Sequence, residues 1–236
     1  YEAQCWPATV TEQEDAISVH FTLKSPAGTN GFPGNLAVTT TYTLNEANQW
    51  LVDYRATTDQ TTLFNPTCHV YFNLSGDFDQ DIAQQQLRIN SDYFGEIQPD
   101  GLPTGQLLPV TGTVFDLQQA RPFADAFASQ ARQNQLVNGY DHPFLLNRKD
   151  PQMDAQLTDP ASGRQITITT EGNAIVIYTA NGFGEEPNLT QKPIQPHQAV
   201  AIEAQMMPDA IHHANFGNIV LTPEQNYHRQ TCYQLN

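Results

Sequence analysis

Positive charge is scarce in this sequence. Lys and Arg number 10 against 25 Asp and Glu, a formal net charge of −15 over 236 residues. Nucleic acid requires a basic face, so that class of partner is excluded. Anionic membranes and multiply phosphorylated substrates are disfavoured for the same reason. A neutral small molecule is the most compatible ligand. Cysteine is also sparse: Cys5, Cys68 and Cys232 are widely spaced and form no CxxC, so neither a zinc knuckle nor a redox pair is indicated. Three thiols in a chain this long fit a reducing, cytoplasmic compartment. No apolar run approaches the roughly 18 residues that a membrane span needs. The start, Tyr1-Glu2-Ala3-Gln4-Cys5-Trp6, has neither a basic nor an apolar leader region. It also lacks an initiating Met, as a piece of a longer chain would. There is no GxSxG, no P-loop and no HExxH.

What is present is a dense strand signal. Ala16–Leu23 is rich in β-branched and aromatic residues. Leu36–Leu44 alternates Leu36, Val38, Thr40, Tyr42 and Leu44 on one face. Trp50–Thr57 and Thr61–Leu74 continue with little between them, which predicts an antiparallel meander or sandwich. Further strands are expected near Gln86–Asn90, Ala155–Thr158, Gln165–Thr170, Ala174–Thr179, Ala199–Ala204, Asn218–Leu221 and Tyr227–Leu235. Residues 98–113 hold several Pro and Gly and predict an irregular stretch. Arg121–Gln130 is the best short helix candidate. No repeat or linker divides residues 1–236, so one all-β domain is expected.

Three constellations could carry chemistry. Along Asn65–Gly76, period-2 geometry puts Asn65, Thr67, His69, Tyr71 and Asn73 on one face and Pro66, Cys68, Val70, Phe72 and Leu74 on the other. A polar row with an imidazole in its middle suits a polyhydroxylated ligand; an ordinary solvent face has the same pattern. In the apolar run His197–Gln205, Glu203 and Gln205 interrupt one face. Such a carboxylate is either exposed at a strand end or buried with a raised pKa, and the buried case suits a general base. Asn138-Gly139-Tyr140-Asp141-His142 reads as a turn delivering Asp141 and His142 to the start of a strand, for turn chemistry or for holding a ligand. His212-His213 are adjacent, and strand neighbours point to opposite faces, so no metal site is expected there.

These three segments resemble, in order, motifs of the aldose 1-epimerase (galactose mutarotase) family. Asn65–Gly76 resembles its N-x-T-N-H-x-Y-F-N-L strand. Gly139-Tyr140-Asp141-His142 resembles its G-Y-D-H loop. Glu203-Ala204-Gln205 with Pro208-Asp209-Ala210 resembles its E-T-Q…P-D-A segment. Gly31–Leu36, Pro103-Thr104-Gly105, Thr113–Asp116, Tyr178–Asn181 and Tyr227–Tyr233 are similar too. The resemblance implies an antiparallel β-supersandwich with a sugar site on a concave face, incomplete at the N-terminus. It implies a cofactor-free interconversion of the α and β anomers of a free aldose. In that reaction Glu203 corresponds to the general base and His69 to the general acid, and Asp141 binds sugar hydroxyls. Tyr71, Asn73 and Gln205 complete the expected sugar contacts, and no metal is implied. The imidazole and the carboxylate are expected to face each other across a pocket sized for one pyranose.

The sequence departs from the family pattern at several points. Cys68 stands where the family has Asn, Pro66 alters the strand, and Val176 sits where many members carry Gln. The family's N-terminal N-R and H-G-G motifs are absent. That absence keeps a rival open, a non-catalytic carbohydrate-binding domain of the same fold. A hexose-6-phosphate 1-epimerase relative is a third reading, which would need a basic cluster at the site.

Overall fold

Alternating β-branched and aromatic residues cannot bury one face alone, so each such strand needs neighbours and a second layer. The computed structural model, which describes residues 4–77, 79–184 and 195–236, shows how this is met. Four meandering strands come first: β1 (Ala8–Glu12), β2 (Ala16–Ser25), β3 (Leu36–Asn45) and β4 (Gln49–Thr58). Short pieces follow, β5 (Thr62–Leu63) and β6 (Tyr71–Phe72), then β7 (Gln86–Ile89), β8 (Ser91–Ile97), β9 (Pro103–Pro109) and β10 (Arg121–Pro122). After helices α1 (Phe123–Phe127) and α2 (Arg132–Val137) come β11 (Asp141–Leu146), β12 (Ala155–Thr158), β13 (Gln165–Thr170), β14 (Ala174–Tyr178), β15 (Val200–Gln205), β16 (Val220–Leu221) and β17 (Tyr227–Leu235).

The strands form two main sheets, and their pairings are antiparallel. A nine-stranded sheet runs β1-β2-β3-β4-β17-β13-β12-β7-β10, and a six-stranded sheet runs β6-β15-β14-β11-β8-β9. Strands β16 and β5 make a small separate pair. The all-β expectation therefore holds. The core lies between the two main sheets. Val52, Leu87, Ile89, Leu157, Ile168 and Tyr233 come from the first, and Phe144, Ile175, Ile177, Val200 and Ile202 from the second. Facing rings lock the layers together: Phe72 of β6 lies 6.5 Å from Trp50 of β4 and 5.7 Å from Tyr233 of β17.

Several expectations need correction. Thr61–Leu74 is not one strand, because only Thr62–Leu63 and Tyr71–Phe72 pair. Between them Asn65 and Thr67 spend their side chains on β15 and its end, and Pro66 has no N–H to give to a ladder. The stretch 98–113 is not irregular throughout: Pro103–Pro109 pairs with β8, a strand that periodicity also missed. The helix is shorter than expected, and α2 follows it. Strand β1 carries too little apolar character to be read from sequence; it survives by pairing with β2.

Two glycines fit close approaches that shape the site. A Cβ on Gly172 would come within 2.5 Å of the Gln205 carbonyl oxygen, so only glycine lets that turn press on the end of β15. Gly139 has φ +143, and a Cβ there would meet the Thr179 hydroxyl at 2.5 Å.

Phe115 stacks on Phe94 with ring centroids 3.9 Å apart and an interplanar angle of 6°, and is fully enclosed by the core. Phe115→Ala is expected to cost about 3–5 kcal/mol. Urea unfolding measures it, and a loss below about 1 kcal/mol would show that the site collapses without penalty.

Candidate active site

The outer face of the six-stranded sheet is set by the same alternation that builds the core. On β15, Val200, Ile202 and Ala204 enter the core, so Ala201, Glu203 and Gln205 point away from it. On β14, Ile175 and Ile177 are core residues, and Val176 and Tyr178 share the opposite face. Register then fixes neighbours. Tyr71 pairs with Ala201, Ala201 with Tyr178, and Tyr178 with Asp141. One row later Glu203 pairs with Val176 and Val176 with Pro143. Tyr71, Tyr178 and Asp141 thus form one row across four strands, with Glu203 a step along.

His69 reaches this face from the irregular segment before β6. Its Nε2 lies 3.2 Å from Glu203 Oε1. Its ring centroid is 5.0 Å from that of Tyr71 and 6.2 Å from that of Tyr178. The sequence placed the imidazole and the carboxylate on opposite sides of a pyranose-sized pocket. Instead they touch. His69 is half exposed while Glu203 is almost completely enclosed, so the imidazole is the accessible member of the pair.

The electrostatics follow from that asymmetry. Burial pushes the Glu203 carboxyl above the ordinary carboxylate range; His69 offsets part of the rise and Asp141 adds to it. Burial also raises Asp141, again partly offset by His69. The Tyr71 hydroxyl is pushed up to about 12, chiefly by burial and then by Tyr178 and the two carboxylates, so it keeps its proton and can donate. Cys68, at the position where the family has Asn, has its thiol raised by burial, which keeps it protonated.

Asp141 is aimed by its neighbours. Tyr140 is buried, donates from its hydroxyl to the Val114 carbonyl at 2.5 Å, and donates its amide to the Thr179 hydroxyl at 3.0 Å. His142 is fully buried among Phe94 and Phe115, and burial drops its pKa to about 3. The Asp141 amide donates to His142 Nδ1 at 3.1 Å, which leaves the proton on Nε2, 3.2 Å from Gln133 Oε1. His142 is therefore a neutral core residue that holds the Asp141 backbone and does not face a ligand.

Two other expected contacts are changed by the structure. Asn73 is not free to bind sugar. Its amide donates to the Gln80 and Gln198 carbonyls, and its oxygen accepts from Ser75 and Gln85. It closes a loop. Gln205 lies on the site face, but its Oε1 accepts from Asn65 at 3.3 Å. The residue missed by the sequence reading is Tyr178; its place in the alternation of β14 was the available signal. His212 and His213 are not on a strand either. They lie in a turn, where both imidazoles meet the Asp209 carboxylate, at 2.5 and 3.3 Å. Among the described residues no cluster of His, Cys, Asp or Glu could hold a metal. Among them, too, no helix is long and apolar enough to cross a membrane.

A polar site of two carboxylates and an imidazole on the outer face of an antiparallel sandwich defines a class, and comparison with known proteins specifies it. Residues 4–234 match the family model described as Aldose 1-epimerase. The chain is 35% identical over 229 residues to a maltose epimerase of Levilactobacillus brevis, covering 97% of this chain and 65% of that protein. It is 34% identical over 230 residues to an aldose 1-epimerase of Escherichia coli K12, covering 96% of this chain and 66% of that protein. The crystal structure of a galactose 1-epimerase from Lactobacillus acidophilus superposes with a TM-score of 0.87 at 29% identity, over 98% of this chain and 66% of that one. This chain belongs to the aldose 1-epimerase family. It spans about two thirds of the length of these relatives.

The burial of Glu203 has a measurable consequence. Its native pKa lies above the unfolded one, so stability is lost as pH rises from the ordinary glutamate value through the native one. Glu203→Gln removes that loss. Its stability gain over the parent is expected to be absent in acid and to grow toward neutral pH, as read by urea unfolding across a pH series. A gain that does not change with pH would mean that the carboxylate is not strained by burial.

Proposed function

We propose that this chain carries out aldose 1-epimerase chemistry, interconverting the anomers of a free hexose. The observation that carries the reading is the contact of His69 Nε2 with Glu203 Oε1 on the sheet face that also holds Asp141. The two oxygens of a cyclic hemiacetal sit on one carbon, so an acid and a base that already touch each other are well placed to flank both. Glu203 removes the proton from the C1 hydroxyl while His69 gives its proton to the ring oxygen. The C1–O5 bond breaks and an aldehyde forms. Rotation about C1–C2 presents the other face of the aldehyde. His69 then takes back the proton of the attacking hydroxyl, and Glu203 returns its own to the carbonyl oxygen. Both groups end as they began, and the reaction needs no cofactor.

Burial suits Glu203 to the base role. A carboxylate raised toward neutrality is a stronger base than an ordinary one and still ionises beside a protonated imidazole. Asp141 accepts from sugar hydroxyls, and Tyr71 and Tyr178 offer rings and hydroxyls at the rim. The names of the relatives suggest galactose and maltose as sugars to test beside glucose.

The second reading is a carbohydrate-binding domain without turnover. It is favoured by the departures from the family pattern at Cys68, next to His69, and at Val176, which pairs with Glu203. A phosphorylated substrate is not favoured: among the described groups, the one cation that acts on Glu203 and Asp141 is His69.

Polarimetry on fresh α-galactose, α-glucose and maltose separates the first two readings. Mutarotation above buffer is expected, with Glu203→Gln and His69→Asn each slower by about 10²–10⁴-fold. Activity should fall in acid as Glu203 takes up a proton, and at a higher pH than an ordinary glutamate would give. Asp141→Asn should act mainly on KM. Calorimetric sugar binding with no rate above buffer would select the binding domain, and unchanged rates in both variants would overturn the role assignment.

A further inference from the structure

His69 has few contacts of its own to fix it. Among the described residues its imidazole has one polar partner, Glu203, and its other contacts are with the rings of Tyr71 and Tyr178. The direction of the ring therefore depends on the backbone that carries it. The pairing of β6 with β15 sets the alignment: Phe72 lies opposite Val200 and Tyr71 opposite Ala201. Carried back by two residues, the same antiparallel register puts His69 opposite Glu203. The pairing itself stops at Tyr71, where β6 begins. Further back, Pro66 has no N–H to give to a ladder, and it biases Asn65 before it toward an extended backbone.

Side chains take over where the backbone pairing ends. Thr67 donates its hydroxyl to the Ala204 carbonyl at 3.2 Å. Asn65 makes a two-way exchange with the backbone of Met206, the residue after β15. Its Nδ2 donates to the Met206 carbonyl at 3.0 Å, and its Oδ1 accepts from the Met206 amide at 2.9 Å. A paired strand residue makes the same exchange with its main chain; here a side chain makes it. The Asn65 Nδ2 also lies 3.3 Å from Gln205 Oε1. Asn65, Thr67 and His69 thus meet Met206, Ala204 and Glu203 in turn, running antiparallel to β15. Cys68, between Thr67 and His69, packs against the core. Residues 62–67 also border a groove of about 780 Å³, with Phe21, Val38 and Tyr42 among its other lining residues.

We propose that Asn65 and Thr67 are positioning residues: their side chains replace the ladder that stops at Tyr71, and so hold the His69 imidazole against the Glu203 carboxylate. Their effect on rate presupposes the epimerase reading, in which His69 is the acid and Glu203 the base. Neither residue acts on the sugar; each acts through His69. Misplacing a reacting group by about 1 Å costs on the order of 10²-fold in rate, so the two tethers matter at a distance. Glu203 reports on their failure. His69 holds its carboxyl down, while burial and Asp141 push it up. Tyr71, Cys68 and Tyr233 also feel its charge, and burial keeps all three protonated. With the imidazole displaced, burial and Asp141 remain, and the Glu203 carboxyl rises further.

Three variants test this. Thr67→Val keeps the side-chain shape and deletes only the hydroxyl, Thr67→Ser keeps the hydroxyl, and Asn65→Ala deletes the amide. In polarimetry on fresh α-galactose, Thr67→Val and Asn65→Ala are expected to lower kcat by about ten- to a hundredfold. KM should stay within about twofold, because Asp141 is untouched, and Thr67→Ser should match the parent. Carbon-13 NMR titration of the carboxyl groups, with Glu203→Gln to assign the resonance, reads the same displacement without turnover. Glu203 is expected to titrate at higher pH in Thr67→Val and Asn65→Ala than in the parent and in Thr67→Ser. A parental Glu203 titration in Thr67→Val overturns the proposal, as does a parental kcat, or an equal loss in Thr67→Ser. Should the parent itself fail to exceed the buffer rate, the epimerase reading falls, and the titration alone decides whether Asn65 and Thr67 hold His69 in place.

Discussion

The contact between the His69 imidazole and the Glu203 carboxylate joins two parts of the chain that are remote in sequence, and the rest of the site is arranged to make that contact tolerable. A carboxylate enclosed by a sheet face is unfavourable when charged. Here it sits on β15, paired with Val176 of β14, with its side chain almost completely enclosed. The accessible member of the pair is His69; in the proposed reaction the enclosed Glu203 is the base and the accessible His69 the acid.

The supporting residues show how much structure a few functional groups demand. Asp141 owes its direction to Tyr140, His142, Thr179 and Gly139, none of which faces the site. His142 illustrates the point. Beside an aspartate in sequence it resembles a ligand-binding residue, yet its ring is neutral, buried and committed to backbone and Gln133. Asn73 is similar: all of its hydrogen-bonding capacity closes the loop after β6. Both stabilise the site without belonging to it.

The sheet that holds the site and the sheet that backs it differ in extent, and the difference gives the molecule its second notable surface. Core burial is complete where the two overlap and fades over β1–β3. The groove there and the candidate site share the segment between β5 and β6. Residues 62–67 border the groove and lead directly to His69.

Period-2 alternation was enough, from sequence alone, to assign most long strands, the outward set Glu203 and Gln205, and the delivery of Asp141 at a strand start. These are local properties: a side chain's face depends only on its place in its own strand. The motifs also pointed to the family. What the sequence could not determine was which polar groups remain free. Asn65, Thr67, Tyr71 and Asn73 look equivalent in an alternating pattern, but hydrogen bonds to β15, Gln198 and Gln85 consume Asn65, Thr67 and Asn73, while Tyr71 stays on the open face. Nor could it show that His69 and Glu203 touch, or that the segment between β5 and β6 leaves the ladder. Those outcomes depend on partners more than a hundred residues away, and only the folded chain brings such partners within the few ångströms over which a hydrogen bond or a buried charge is decided.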